Sequence, residues 1–159
     1  PVLFVLNTKT GNESGSLAAV QEFLVSRGNH AVVVDVGIEQ DMSESSTEER
    51  SAMRREFAPT SDGVDGLIRA GYELLGLITF FTTGEDETRG WTIERGASAP
   101  EAGAAIHTDF RDKFIRAEVI NWQVLLDAGS YAAARERGLL GTEGKQYLVE
   151  DGDVVEFRI

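Results

Sequence analysis

Two predicted strands lie near the start of the chain, with a helical pattern between them. Val2–Leu6 is a continuous apolar run of the type found in parallel sheets that are covered on both faces, and Ala31–Val36, in which Asp35 is polar, is predicted as another buried strand. Between these strands, a polar loop precedes a predicted helix that begins at a capping Ser16 and runs to about Arg27, before a stop at Gly28. The helix has an apolar stripe made of Leu17, Val20, Phe23 and Leu24. Strand, helix and strand at this spacing predict a βαβ unit of a parallel sheet.

The segment that follows predicts two further helices. Residues Glu39–Ala58 are polar and acidic, and we expect a helix that begins at Thr47. Its carboxylates alternate with Ser and Arg and lack the spacing of a calcium loop, which favours a solvated helix over a metal site. A turn at Pro59–Asp62 leads to an amphipathic helix from Val64 to about Gly76. We expect this helix to close the first domain.

From Leu77 onward the pattern changes to short strands, tight turns and short helices. Leu77–Thr82 and Arg89–Ile93 flank the turn Thr83-Gly84-Glu85-Asp86, which is a hairpin signature. Pro100 is suited to the first turn of a helix that ends at Ile106. The remaining predicted elements are a strand at Phe114–Ile120, helices at Trp122–Ala128 and Tyr131–Arg137, and a hairpin of Tyr147–Val149 with Val154–Ile159. Mixed strands with intervening helices predict an α+β, grasp-like sheet.

The composition is that of a folded globular protein. Apolar residues make up 42% and charged residues 26% of the 159 residues, near the globular average. The absence of cysteine excludes thiolate metal sites and fits a reducing compartment, and two histidines, His30 and His107, argue against a zinc site. The apolar runs are shorter than a membrane span and no signal peptide opens the chain, so we expect a cytoplasmic protein without a membrane partner. A predicted strand directly after Pro1 indicates a fragment of a longer protein.

The charge limits which partners the chain can bind. The net charge is −12, and each half carries −6 when the chain is divided at Leu77. General binding to nucleic acid depends on Lys and Arg that neutralise phosphates, which an acidic chain does not provide. Any RNA contact must therefore be a local patch.

Three strings carry a resemblance to a known family. GLITFFTTGEDETRGWTIERG (76–96), AIHTDFRDKFIRAEVI (105–120) and EGKQYLVEDGDVVEFR (143–158) resemble the C-terminal domain of the YchF, or Obg-like ATPase, family. The similarity is strong from about Gly63 to Arg158 and looser, but collinear, from Pro1 to Gly63. It implies that residues 1–76 are the C-terminal part of an α/β P-loop NTPase domain. It also implies that residues 77–159 are an α+β TGS-like β-grasp domain.

The resemblance also implies a function for the parent protein. Members of the family bind ATP or GTP with Mg²⁺, hydrolyse the nucleotide slowly and associate with ribosomes. This chain contains no G-x-x-x-x-G-K motif followed by Ser or Thr, and its only Gly-Lys pair, Gly144-Lys145, is followed by Gln. We therefore expect no catalytic residue, no metal ligand and no tight nucleotide binding in this chain alone.

A short motif after the first strand resembles the family's base-recognition loop. It reads Asn7-Thr8-Lys9-Thr10, which keeps the Asn but has Thr where the family usually has an acidic residue. The resemblance implies that Asn7 reads the purine, that Thr8 holds it through the main chain, and that Val36, in a second loop, offers a main-chain amide. An Asn at the carboxyl end of a parallel strand is well placed for a ligand, yet Asn is also common in simple turns. Both interpretations stay open.

The second predicted domain contains a candidate contact with the ribosome or its RNA. His107, Arg111, Lys113 and Arg116 lie within ten residues, although His107 also suits a turn that bonds to Asp109 and the basic residues also suit a solvated face. Trp91 and Trp122 fit apolar patterns, so we expect both in the core rather than in base stacking. We assign no chemistry to the turn at Asp151–Asp153.

Three function classes remain at this point. The first is a fragment of a ribosome-associated ATP- or GTP-binding nucleotidase, inactive by itself. The second is a non-enzymatic module that contacts RNA, the ribosome or a protein, with a decayed nucleotide site. The third, an unrelated small-molecule enzyme, lacks any cluster of acid, base and nucleophile in the sequence.

Overall fold

The computed structural model describes residues 1–9, 15–57, 63–84 and 87–159. The chain divides into two compact units, Pro1–Leu75 and Gly76–Ile159. The predicted turn at Pro59–Asp62 lies outside the described residues, as does part of the turn predicted at Thr83–Asp86. Thr10 of the base-recognition motif is also outside them.

The first unit is α/β. Its strands and helices are β1 (Leu3–Asn7), α1 (Gly15–Ser26), β2 (His30–Val34), α2 (Val36–Asp41), α3 (Thr47–Phe57) and α4 (Gly63–Leu75). β1 and β2 pair in parallel, so the predicted order of strand, helix and strand is confirmed. The helix predicted from Thr47 and the amphipathic helix that ends before Gly76 are also confirmed. The buried residues lie mainly on β2, at Val32, Val33 and Val34, together with Met42.

Two local predictions in this unit are wrong. The second strand ends at Val34 rather than Val36, because Asp35 Oδ1 accepts a hydrogen bond from Ile38 N at 3.1 Å and caps α2. Ser16 lies inside α1 and is not its cap. The stripe of α1 is only partly buried, since Val20 and Phe23 are 45% and 57% exposed.

The second unit is a five-stranded mixed sheet with helices on both faces. The strands are β3 (Leu77–Thr83), β4 (Thr88–Glu94), β5 (Arg116–Asn121), β6 (Gly141–Glu143) and β7 (Asp153–Arg158), and the helices are α5 (Ala99–Ile106), α6 (Thr108–Asp112), α7 (Trp122–Ala128) and α8 (Tyr131–Glu136). The strand order is β4-β3-β7-β5-β6. The last strand lies in the centre, parallel to β3 and antiparallel to β5. The predicted hairpin of β3 and β4 is confirmed.

The two faces of this sheet bury separate apolar clusters. One cluster is built on Phe80, Ala117 and Val155, with Ala99 and Ala102 of α5 packed over them. Phe157 completes it through ring contacts, with centroids 6.0 Å from Phe80, 5.7 Å from Phe110 and 6.4 Å from Phe114. The other cluster places residues of α7 and α8 against Ile120 and Val154. Side chains that alternate along β5 and β7 therefore point to one cluster or to the other.

The predicted C-terminal hairpin is wrong. Tyr147–Val149 does not pair with β7; instead, Ala99 N donates to Tyr147 O at 2.8 Å and Val149 N donates to Ala97 O at 3.0 Å. β7 inserts between β3 and β5, with Val154 opposite both Phe81 and Ile120. β6 was not predicted. The turn at Glu150–Asp153 is present, but the segment before it pairs with Ala97–Ala99, and the strand after it enters the centre of the sheet.

The predicted burial of the two tryptophans gives mixed results. Trp91 is partly buried against the first cluster, as predicted, and its Nε1 donates to Thr82 Oγ1 at 2.9 Å. Trp122 is 42% exposed, so the prediction that it belongs to the core is wrong. The strand predicted from Phe114 begins two residues later, at Arg116, and Ile115 before it is 62% exposed.

The turn at Glu150–Asp153 is bonded to several parts of the second unit. Thr79 N donates to Asp151 Oδ1 at 2.8 Å, and Gly152 N donates back to Thr79 O at 2.8 Å. The buried Asp153 carboxylate accepts from Tyr147 OH at 2.8 Å and from Glu150 N at 2.9 Å. Burial, followed by this carboxylate, raises the pKa of Tyr147. The turn thus fixes where β7 enters the sheet.

The described part of the chain contains no helix that is both long enough and apolar enough to cross a bilayer.

We predict that Gly152→Ala destabilises the second unit much more than Gly138→Ala. Both glycines have positive φ, 87° and 66°, so both substitutions carry the same left-handed backbone strain of about 1 kcal/mol. A Cβ at Gly152 would also lie 2.6 Å from Trp122 Cδ1, whereas nothing lies within 4 Å of one at Gly138. We therefore expect a loss of about 2–4 kcal/mol for Gly152→Ala in urea unfolding. Equal losses would contradict this account of the turn.

Candidate functional site

The structure brings two of the loops implied by the resemblance together at the carboxyl ends of β1 and β2. Asn7 is the last residue of β1 and lies in register with Val34. Its Oδ1 accepts a hydrogen bond from Val36 N, the first residue of α2, at 3.3 Å. Because an N–H can only donate, this contact fixes which side-chain atom of Asn7 is the oxygen. Its Nδ2 makes no hydrogen bond to the residues that the structure describes, so both of its hydrogens can donate to another partner.

A cleft of about 560 Å³ lies beside this residue. The cleft is formed by the end of β1 and the start of α1, and its lining residues are Val5, Leu6, Asn7, Thr8, Lys9, Ser16, Leu17 and Val20. The volume is in the range of small-molecule sites, and the lining combines aliphatic side chains with a few polar groups. Such a lining suits a flat ring that needs apolar contact on its faces and hydrogen bonds at its edge.

The main-chain amides expected to hold a base already donate within the protein. Thr8 N donates to Val34 O at 2.9 Å, and Val36 N donates to Asn7 Oδ1. The Asn7 side-chain amide is therefore the clearest remaining donor among the three residues predicted for this site. Lys9 and Leu17 also line the cleft and were not predicted; the position of Lys9, two residues after Asn7, was the signal available for it.

His107 has a structural role in the second unit. It ends α5, where its N donates to Gly103 O at 3.1 Å, and it begins α6, where its Nδ1 accepts from Asp109 N at 3.2 Å. This arrangement corresponds to the turn interpretation, with the main chain of Asp109 as the partner. An accepting Nδ1 means that the neutral imidazole carries its hydrogen on Nε2.

The other three basic residues predicted as a contact do not share one surface environment. Arg111 Nε lies 3.0 Å from Asp112 Oδ1, and Lys113 Nζ lies 2.9 Å from Asp109 Oδ2. The hydrogen bond from Lys113 holds the pKa of Asp109 below its usual range. Arg116 is the first residue of β5 and has no ion pair among the described residues. The two positive charges of Arg111 and Lys113 are matched by the two carboxylates of Asp109 and Asp112. Among the three predicted basic residues, Arg116 alone has no carboxylate partner among the described residues.

Strand alternation separates Arg116 from α6. Phe110 of α6 packs against Phe157, on the face of the first apolar cluster. Arg116 shares the opposite face with Ile120, because the two residues are an even number of positions apart in β5. On that face it lies opposite Arg158, and Arg135 contacts the neighbouring Glu118; neither of these two arginines was predicted. The alternation of β7 could have indicated Arg158, but no sequence signal placed α8, and hence Arg135, over these strands.

Comparisons with known proteins find close relatives for the whole chain. The family model YchF-GTPase_C, described as a protein of unknown function (DUF933), matches residues 77–159. "Ribosome-binding ATPase YchF" of Bacillus subtilis is 41% identical over 99% of this chain, and the protein of the same name from Escherichia coli O157:H7 is 40% identical over 99%. The chain spans 44% of the length of each. The structure of the Schizosaccharomyces pombe YchF GTPase matches 99% of this chain and 43% of its own, with 31% identity and a TM-score of 0.83.

We predict that His107→Ala destabilises the chain by about 1 kcal/mol, because the first turn of α6 loses its side-chain acceptor. His107→Asn supplies an oxygen that can accept the same bond, so its stability should stay close to that of the parent. Urea unfolding followed by tryptophan fluorescence measures both. If the two variants unfold at the same urea concentration, the capping role is wrong.

Proposed function

The chain belongs to the YchF family, and on that premise we propose that it is the C-terminal portion of a ribosome-associated nucleotidase that binds ATP or GTP. In this proposal, residues 1–76 complete a P-loop NTPase domain and contribute part of its purine-base site. Residues 77–159 are the TGS-like domain. The phosphate-binding loop lies outside this chain, whose sequence contains no such motif.

The Asn7 contact carries the nucleotide part of the proposal. An amide side chain at the carboxyl end of a parallel strand, with its oxygen held and its nitrogen available, faces the position where open α/β sheets bind ligands. The nitrogen can donate to an acceptor on a purine edge, such as the ring nitrogen N7 that adenine and guanine share. Contact at that shared atom would distinguish the two bases poorly, and the replacement of the usual acidic residue by Thr10 leads to the same expectation.

Mg²⁺ in the parent protein would be held elsewhere. The Ser or Thr of a P-loop is not in this sequence, and no group of three or more His, Asp or Glu in the described residues could hold a metal ion. We therefore assign no metal-dependent step to this chain. Its contribution is to bind and orient the base.

The second unit supports a contact with the ribosome. Its strand order, with the last strand central and parallel to the first, together with helix α5 across one face, is consistent with a β-grasp domain of the TGS type. Two relatives are named ribosome-binding ATPases. We propose the same partner for this chain, and with it a location in the cytoplasm.

A non-enzymatic interaction module with a decayed nucleotide site is the second candidate. The loss of the acidic fourth residue at Thr10 favours it, as do the main-chain amides of Thr8 and Val36 that already donate internally. The sequence upstream of Pro1 distinguishes the two candidates: an intact phosphate-binding loop with its lysine supports the nucleotidase, and its loss supports the module.

We predict that the isolated chain hydrolyses neither ATP nor GTP, because phosphoryl transfer needs phosphate and metal contacts that this sequence lacks. Phosphate release with Mg²⁺ should equal the protein-free blank, with the full-length Bacillus subtilis relative as the positive control. Magnesium-dependent turnover by the pure chain would contradict the prediction.

We also predict the effect of two substitutions at Asn7 in the full-length protein. Asn7→Asp keeps an oxygen for Val36 N and removes the donor nitrogen, whereas Asn7→Ala removes both. If the nitrogen binds the base, both variants should lose about 1–3 kcal/mol of nucleotide affinity in equilibrium titration. ATP and GTP should lose affinity to similar extents.

The Asp variant separates base binding from a turn role. A residue that only turns the chain would tolerate Asp, because the contact with Val36 N survives. Parent-like nucleotide affinity in Asn7→Asp, with weaker binding only in Asn7→Ala, would therefore assign Asn7 to the structure of the loop rather than to the base.

A further inference from the structure

One face of the second unit places like charges opposite each other. In the antiparallel pairing of β5 and β7, Glu118 lies opposite Glu156 and Arg116 lies opposite Arg158. Side chains at such positions are close neighbours, and like charges there destabilise the pair. Each pair therefore needs a counter-charge from elsewhere.

The two glutamates have their counter-charge within the protein. Arg135 Nη2 lies 2.6 Å from Glu118 Oε2 and 3.6 Å from Glu156 Oε2. Arg158 Nη2 lies 3.0 Å from Glu156 Oε1 and 3.8 Å from Glu118 Oε2. The hydrogen bond from Arg135 holds the pKa of Glu118 below its usual range. Two guanidinium groups thus balance two carboxylates.

In the arginine pair, only Arg158 has carboxylate partners in the part of the chain that the structure describes. Arg116 forms no ion pair among the described residues, and Arg158, whose side chain is 41% exposed, is held beside it by the two glutamates. Three guanidinium groups around two carboxylates leave one positive charge at this end of the two strands. A planar guanidinium presents paired N–H donors that match the oxygens of a phosphate.

We infer that Arg116 and Arg158 form a contact site for a phosphate of the RNA backbone on this face of the sheet. The inference rests on the proposed ribosome association and names the surface and the chemistry that would carry it. Arg158, oriented by Glu118 and Glu156, positions the site, and Arg116 supplies the unbalanced charge. The site differs from the basic residues of α6, which are matched by Asp109 and Asp112.

The geometry favours a phosphate over an acidic peptide. A peptide that binds in extended form adds to a sheet through an unpaired backbone edge. Here β7 lies between β3 and β5, and β5 lies between β7 and β6, so neither strand is at an edge of the sheet. The overall negative charge of the chain does not prevent a local contact, because charges farther away than about 8 Å are largely screened at physiological salt.

Two substitutions that change the net charge by the same amount test the site. Arg116→Gln and Arg111→Gln each remove one positive charge from the second unit, but only the first removes a group without a carboxylate partner. We expect Arg116→Gln to weaken co-sedimentation with purified ribosomes about fivefold at 0.1 M salt, and to reduce the slope of log affinity against log salt by about one. Arg111→Gln should stay within about twofold of the parent. Circular dichroism should show that both variants are folded, since Arg116 makes no ion pair.

A short single-stranded RNA and polyglutamate, used as separate probes, identify the ligand. If the parent binds RNA and Arg116→Gln weakens that binding, the phosphate site is supported. If ribosomes do not bind in the same experiment, only the proposed function fails. Ribosome binding that is equal in the parent and in Arg116→Gln overturns the site and leaves the proposed function standing. Equal losses in the two variants indicate a general charge effect and overturn the site. If polyglutamate binds more tightly than RNA, and Arg116→Gln weakens that binding, the assignment to a phosphate is overturned.

Discussion

The turn at Glu150–Asp153 determines how the second unit is assembled. It exchanges two hydrogen bonds with the backbone of a single residue, Thr79 in β3: Thr79 N donates to Asp151, and Gly152 N donates to Thr79 O. Its buried Asp153 accepts a third hydrogen bond, from Tyr147. These contacts position the start of β7 in the centre of the sheet, where Val154 pairs with Phe81 on one side and with Ile120 on the other. A change of one residue in this register would exchange the two faces of β7. The packing of Phe157 in one cluster and the charges on the opposite face both follow from it.

In the first unit, the corresponding link is the contact between Asn7 Oδ1 and Val36 N. It joins the ends of two parallel strands and leaves the nitrogen of the same side chain beside a cleft. A single residue can therefore shape the loop and present a donor to a ligand. These two roles are not exclusive, and this is why the sequence motif left both interpretations open.

Elements with local signals were predictable from the sequence, and pairings across long stretches of chain were not. The β3–β4 hairpin and the capped helices depend on neighbouring residues and were found. The parallel pairing of β3 with β7 joins residues more than seventy positions apart. Nothing in the sequence of either strand indicates which strand it pairs with. The adjacent turn signal therefore suggested the wrong hairpin. The apolar pattern of its helix predicts Trp122 in the core, whereas it lies over the Gly152 turn and is exposed at the surface.

The candidate sites divide in the same way. Asn7 and Thr8 stand next to each other in the sequence and could be found by a motif, but the ligand-facing atom of Asn7 could be identified only from the position of Val36. In the proposed function, this side chain reads a purine in the full-length protein. The most direct test is a crystal structure of the full-length protein with a bound, non-hydrolysable purine nucleotide. We expect the base in the cleft beside β1, with Asn7 Nδ2 about 3 Å from an acceptor on the edge of the base. A base bound elsewhere, with no contact to Asn7, would contradict it.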